Sequence, residues 1–357
     1  MAPKGNKKKN AFFYFMQEIK QKSGFNNLEA QEVAGEKWTR MTRDERRPYE
    51  IMASERRNNP QIKKYTSDGM DIEQIEKEEQ EELVAISAMQ QHIHNEMVAL
   101  YKAKVIHEKN FFVIHINNFC YRQTVDKYYP AEIALLKFNL RDGVQEKNIF
   151  HSMVHPGQLP LGFTASARLH SQNTHRIKPP PSYASPSCIN NMEQVFNELC
   201  KFVKDHVDKD EPSPIVYVKE KYMKQTKNIL DMWENDYNNN CYSGVYNLQF
   251  MFNELRSTIE QSDIAMSNSF GFGEISRDIY SHVPDIGCEF HESLGYQLHC
   301  SKSIVTRQAY IICENCCPVL NLKVIPGRHV PKMTRQSLNE GTSSRMDDTF
   351  GQSSSKN

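Results

Sequence analysis

Phe111-Phe112-Val113-Ile114-His115-Ile116-Asn117-Asn118 is the stretch at which the chain changes period. Before it, apolar residues recur at helical spacing. From it onward, short β-type runs follow one another. Ala131-Glu132-Ile133-Ala134-Leu135-Leu136-Lys137-Phe138 is a second run, and Ile149-Phe150-His151-Ser152-Met153-Val154 is a third, ended by Pro156-Gly157. Three closely spaced runs predict an antiparallel meander. An amphipathic helix over 192–207, a buried strand at Ile215-Val216-Tyr217-Val218 and helices near 223–233 and 246–259 come next. Strands first, then strands alternating with helices, predict an α/β domain with a mixed sheet.

Upstream of Phe111 the pattern is helical. A first helix is expected over 10–22, closed by Gly24, because glycine tolerates the left-handed geometry of a helix C-terminus. A second is expected over 27–39 and a third over 42–64, opened by a Thr42/Glu45 capping box, with Pro48 inside its first two turns. Residues 71–82 hold seven carboxylates and one lysine, and read as a solvated linker or helix face. A helical stretch over 83–104 leads to the first strand. Residues 178–187 read as a Pro/Ser-rich loop, and the last thirty or so residues as a disordered tail.

The 357 residues carry 44 Lys/Arg and 44 Asp/Glu. That balance hides a division. Residues 1–65 hold 15 Lys/Arg against 8 Asp/Glu, an excess of +7, so the other 292 residues sum to −7. A basic end on an acidic chain points to a polyanion at that end. No apolar run approaches the ~20 residues of a membrane helix, and the N-terminus lacks a secretory core, so an intracellular protein is expected. In a reducing compartment the nine cysteines are thiols or metal ligands rather than disulfides.

The chemically informative stretch is Cys288-Glu289-Phe290-His291, followed by Cys300. Cys-x-x-His brings two donors within reach of one zinc ion, and Cys300 supplies a third. Spacing leaves the fourth open. Cys313 and Cys316 could complete a knuckle with Cys288 and His291, or a distant carboxylate could serve.

Two resemblances follow. With Asn10-Ala11-Phe12-Phe13-Tyr14-Phe15, Trp38 and Arg46-Arg47-Pro48-Tyr49, residues 4–69 resemble an HMG box. This implies a three-helix fold with Phe12, Phe15, Trp38 and Tyr49 as its aromatic core. Nucleic-acid contacts would come from Lys7, Lys8, Lys9, Asn10, Arg40 and Arg43, with Phe13 as a wedge between base steps. Tyr129-Pro130-Ala131-Glu132-Ile133, Phe150-His151-Ser152 with Pro156-Gly157, Cys288-x-x-His291 and Cys300 are similar to the Maelstrom domain. A box ahead of that domain is the arrangement of the Maelstrom family, and the chain is identified as a member of it, of the insect type.

The resemblance implies an α+β chain: an all-α HMG box, then an α/β RNase H-like domain related to the DnaQ exonucleases. One structural zinc would be held by Glu132, Cys288, His291 and Cys300, with Cys288 and His291 in a loop before a C-terminal helix containing Cys300. The expected division is 1–69 box, 70–105 linker, 106–325 Maelstrom domain and 326–357 tail. Exonucleases of that fold hold two Mg²⁺ ions on carboxylates of the first strand; here that strand has no Asp or Glu.

The function implied is nucleic-acid binding in germline piRNA silencing, repressing transposable elements through oogenesis, spermatogenesis and meiosis. Its place would be the nucleus and cytoplasm, including perinuclear nuage. The partners implied are DNA or structured RNA at the box, single-stranded RNA at the second domain, and piRNA-pathway proteins, with no membrane and no small-molecule substrate. Lys219, Lys221, Lys224 and Lys227 are candidate RNA contacts. Metal-independent single-stranded RNA cleavage and a pure protein scaffold are the competing readings.

Overall fold

The structure is a computed structural model and describes residues 10–24, 27–58, 72–180, 189–208, 211–261 and 269–332. The chain forms two compact units, Met1–Ala85 and Ile86–Asn357.

In the first unit, Asn10 caps helix α1 (Ala11–Ser23), its side chain accepting from the Phe13 amide at 3.1 Å. Gly24, at φ +67°, ends it with a bond to the Lys20 carbonyl. Helix α2 is Asn27–Arg40 and α3 is Arg43–Asn58. The capping box forms: the Thr42 amide donates to Glu45 Oε2 at 2.7 Å and the Glu45 amide reaches back to Thr42 Oγ1 at 3.5 Å. The last residues expected in this helix, 59–64, lie outside the described residues, as does Lys7–Lys9.

Phe15, Ile19 and Ala34 form the buried centre, with Phe12, Trp38 and Tyr49 packed around it. The rings meet in tilted and edge-on pairs at 5.2 to 6.1 Å between centroids, as their quadrupoles favour. Tyr49 donates to Glu18 Oε2 at 2.7 Å, locking α3 to α1.

Of the two expectations for the acidic run, a solvated linker or a helix face, the structure shows the helix: α4 (Ile72–Lys102) is continuous from Ile72. No Gly or Pro interrupts it, its residues are mostly strong helix formers, and i,i+4 pairs such as Gln74–Glu78 at 2.9 Å and Lys77–Glu81 at 3.6 Å brace it.

The second unit is built on β1 (Phe111–Arg122), β2 (Lys127–Phe138) and β3 (Ile149–His155), an antiparallel meander. Then come α5 (Thr164–Asn173), β4 (Ile189–Asn191), α6 (Met192–Asp205), β5 (Ile215–Val218), α7 (Met223–Tyr237) and β6 (Gly244–Asn247). Helices α8 (Leu248–Glu260), α9 (Ser269–Arg277), α10 (Glu289–Leu294) and α11 (Ser301–Cys316) complete it. The sheet order is β4-β3-β2-β1-β5-β6. β5 runs parallel to β1, β6 to β5 and β4 to β3, so the sheet is mixed.

Strand alternation sorts the side chains onto two buried faces. Phe112, Ile114 and Ile116 pack with Ile133, Leu135 and residues of α6 and α7. Phe111 and Val113 pack with Ala134, Leu136, Phe138 and residues of α4, α8 and α11. Glu132 has the parity of Ala134 and so faces α11.

Three further differences have local causes. β1 and β2 reach twelve residues each, because pairing continues past the apolar runs through a register shift at Asn117/Asn118. Tyr246 is in β6, not in a helix. The helix starts at Leu248, where Asn247 accepts from the Gln249 and Phe250 amides at 2.8 and 3.1 Å. The short elements α5 and β4 are additional, and 181–188 in the Pro/Ser-rich stretch lie outside the described residues.

Candidate metal centre and nucleic-acid interface

Glu132 is fully buried in the middle of β2. Register explains its neighbours: Asn117 stands opposite it on β1, and His151 opposite Ala134 on β3, all on the face toward α11. The Asn117 side-chain amide donates to Glu132 Oε2 at 2.8 Å and the Ser301 amide donates to the same oxygen at 3.0 Å. Oε1 is left to face a cluster of sulfur and nitrogen atoms.

Cys288 is the N-cap of α10 and His291 lies one turn along it, so Cys-x-x-His puts both on one side of a short helix. His291 is therefore helical, not in a loop. Cys300 caps α11 and precedes it, where the expectation had it inside the helix. Cys288 Sγ lies 3.1 Å from His291 Nδ1. His291 Nδ1 lies 3.4 Å and Cys300 Sγ 3.6 Å from Glu132 Oε1. Zinc bonds of about 2.0–2.3 Å in a tetrahedron give donor–donor edges of roughly 3.3–3.8 Å. Two separations fall in that range and the third is slightly short.

A second histidine competes for the fourth position. One donor atom each from Glu132, His151, Cys288 and Cys300 all lie within 4.8 Å of one another. However, His151 Nε2 stands 2.7 Å from Glu132 Oε1, a hydrogen-bond distance too short for a tetrahedral edge. His291 has the better orientation: its Nε2 donates to the His175 carbonyl at 2.7 Å, which turns Nδ1 inward. The residues present suit one cation with thiolate, imidazole and carboxylate ligands. Cys313 and Cys316 do not join them. They stand at the far end of α11, roughly 20 Å along a helix rising 1.5 Å per residue, and are packed in the main core.

The charges fit the same description. Burial pushes the Glu132 carboxyl up, but the hydrogen bond from His151 and the charges of His291 and His151 outweigh it and hold the group below the usual carboxylate range. The hydrogen bond to Cys300 pulls the Cys288 thiol down, while burial pushes Cys300 up. Burial disfavours charge on His291, yet contact with Cys300 and the Glu132 carboxylate raise it overall. Buried ionisable groups persist when paired, and these are paired with one another.

At the box, Arg40 ends α2 and Arg43 opens α3, both exposed, and Phe13 is half-buried with its ring 5.5 Å from Tyr14. Phe13 is not in the Phe15/Trp38/Tyr49 cluster. Of the lysines, Lys219 is half-buried with Nζ on the Ile275 carbonyl at 3.2 Å, so it serves the fold. Lys224 faces Asp126 at 3.5 Å. Lys221 and Lys227 are exposed.

The family model described as "Maelstrom: piRNA pathway germ-plasm component" matches residues 121–336. The chain belongs to the Maelstrom family. An HMG-box model matches residues 2–68, so this Maelstrom chain carries an N-terminal HMG box. It is similar to "Protein maelstrom homolog" of Culex quinquefasciatus, 29% identical over 96% of this chain and 70% of that protein. It is also similar to "Protein maelstrom" of Drosophila melanogaster, 24% identical over 94% and 73%. "Protein maelstrom 1" of Drosophila pseudoobscura pseudoobscura is 24% identical over 92% of each chain. An HMG box joined to a Maelstrom domain supports a nucleic-acid-binding role. No described helix is long and apolar enough to cross a membrane.

Residue types in the sequence do not mark Asn117 and His151 as partners of Glu132. His151 belongs to the Phe150-His151-Ser152 motif, and its register with β2 is the signal that points it to the carboxylate. The Ser301 amide and His175 carbonyl are backbone groups and leave no trace in residue types.

The box separates core from interface cleanly. Trp38→Ala removes ring contacts with Phe12, Phe15 and Tyr49 and should destabilise the box by about 3 kcal/mol. Phe13→Ala should cost under ~1 kcal/mol and instead reduce DNA bending measured by end-to-end fluorescence transfer. A comparable melting loss in Phe13→Ala would make Phe13 a core residue.

Proposed function

We propose that this chain is a nucleic-acid-binding factor of germline piRNA silencing that represses transposable elements. The observation that carries the reading is the ordered pair of matches, an HMG box followed by a domain described as a piRNA-pathway germ-plasm component. In this reading the box engages DNA or structured RNA through Lys7–Lys9, Arg40, Arg43 and Phe13. The second domain, spanning about 106–325, binds single-stranded RNA and piRNA-pathway proteins. It works in the nucleus and cytoplasm, nuage included.

The second domain is read as RNase H-like. The sheet supports this: three antiparallel strands lead, and β5 and β6 extend the sheet in parallel beyond β1. One structural zinc is assigned to Glu132, Cys288, His291 and Cys300, where it would act as a fixed cross-link among β2, α10 and α11. Asn117 and the Ser301 amide orient the carboxylate, His151 donates to it, and the His175 carbonyl orients His291. Two-metal hydrolysis meets a chemical obstacle, since β1 has no carboxylate along its twelve residues.

Elemental analysis of the full chain should find about one zinc. Cys288→Ser and His291→Ala should lose it and unfold the second domain, since structural zinc supplies ~10–16 kcal/mol of apparent folding free energy. His151→Ala and Cys313→Ser should retain it. Zinc kept in His291→Ala but lost in His151→Ala would make His151 the ligand. In germ cells, depletion should raise transposon transcripts, with rescue by the wild-type chain and not by Cys288→Ser. Unchanged transcripts on depletion would refute the silencing role.

A further inference from the structure

Beside the metal centre a cleft of about 660 Å³ opens between the end of α5 and the turn after α10. That volume is within the roughly 300–1,000 Å³ of small-ligand pockets. Its lining includes Arg168, Arg176 and Lys178, together with Tyr296, Leu294 and Pro179, and no carboxylate. Outside residues 1–65 the chain sums to −7, so three cations without an acid run against the local average. Arg168 and Lys178 are exposed. The Arg176 guanidinium lies over the Tyr296 ring, 4.2 Å from its centroid, and donates to the Tyr296 hydroxyl.

We propose that this cleft takes one nucleotide of a single-stranded RNA, with its phosphate on Arg168 and Lys178 and its base on the Arg176–Tyr296 platform. The proposal rests on the reading of the second domain as RNA-binding and gives that reading a location. Cations neutralise phosphates whatever the sequence. Splayed bases stack on aromatic rings and on guanidinium planes. An acidic peptide would use the cations, but it has no use for a stacking platform.

The two walls are tied to the metal centre through one residue. His291 Nε2 donates to the carbonyl of His175, the neighbour of Arg176, at 2.7 Å. The Tyr296 amide donates to the His291 carbonyl at 2.9 Å. Arg176 itself is held at φ +59°, in the left-handed region that non-glycine residues seldom occupy. Its amide donates to the Ser171 carbonyl at 2.8 Å, which fixes the turn. The metal centre therefore sets the spacing of both walls.

The test uses the full chain, a fluorescent decauridylate bearing one 4-thiouridine, anisotropy at two salt concentrations and mapping of the photo-crosslink. The crosslink should fall on the peptide carrying Tyr296, a product that the HMG box cannot give. Arg168→Glu and Lys178→Glu should each weaken binding roughly tenfold and lower the salt slope by about 1, with melting unchanged. Tyr296→Phe should keep the crosslink and Tyr296→Ala should lose it.

Crosslinks elsewhere within 106–325, or variants that bind as wild type, would overturn the cleft while leaving the RNA-binding reading intact. Crosslinks confined to 1–69, or none at all, would overturn both. Displacement of the strand by uridine monophosphate at equal concentration would assign the cleft to a free nucleotide and overturn the strand. Displacement by an acidic peptide but not by unlabelled RNA would assign it to a protein.

Discussion

A carboxylate taken wholly out of water is the constraint on which the second domain depends. Glu132 has no exposed surface, and an isolated ion there would be far too costly to keep. Each of its oxygens is therefore committed. Oε2 accepts from Asn117 of β1 and from the amide that starts α11. Oε1 faces His151 of β3, His291 of α10 and Cys300. Two neighbouring strands and the starts of two helices are thus referred to one side chain. Segments as distant in sequence as 132 and 301 meet because that group must be satisfied.

Function follows from what this arrangement leaves available. In the proposed site four protein donors would close the coordination sphere of a zinc ion, which would then hold structure rather than activate water. The strand that carries the metal-binding carboxylates in nucleases of the proposed fold offers asparagine, histidine and apolar residues here. In the proposed reading, recognition would fall to the rim of the sheet, where His291 is hydrogen-bonded to the His175 carbonyl and the Tyr296 amide beside the basic cleft. The box contributes separately, through exposed arginines around a small aromatic core.

Much of this was legible in the sequence because the deciding features are local. Alternation over 111–116 and 131–138, the Thr42/Glu45 box, Gly24 and the Cys-x-x-His spacing each express contacts within a few residues. The apolar halves of β1 and β2 show, but their continuations through Asn117–Arg122 and Lys127–Pro130 do not, since unbroken burial on both faces holds for the first half of β1 and the second half of β2, which pair with each other. The acidic run was ambiguous because charge density marks a linker and an exposed helix equally well. Tyr246 read as helical because a four-residue strand flush against a helix shares its apolar pattern. The union of Glu132 with Cys288 came from family resemblance alone, since no spacing rule spans 156 residues. The cleft was invisible for the same reason: Arg168, Arg176 and Tyr296 become one surface only after α5 and α10 are packed.

The proposed centre has Glu132, His291 and two thiolates sharing one zinc ion. X-ray absorption at the zinc edge of the purified full chain reads that ligand shell. Two sulfur scatterers at about 2.3 Å and two nitrogen or oxygen scatterers at about 2.0–2.1 Å are expected. A shell of four sulfurs, a shell with no sulfur, or a six-coordinate oxygen shell would rule that centre out.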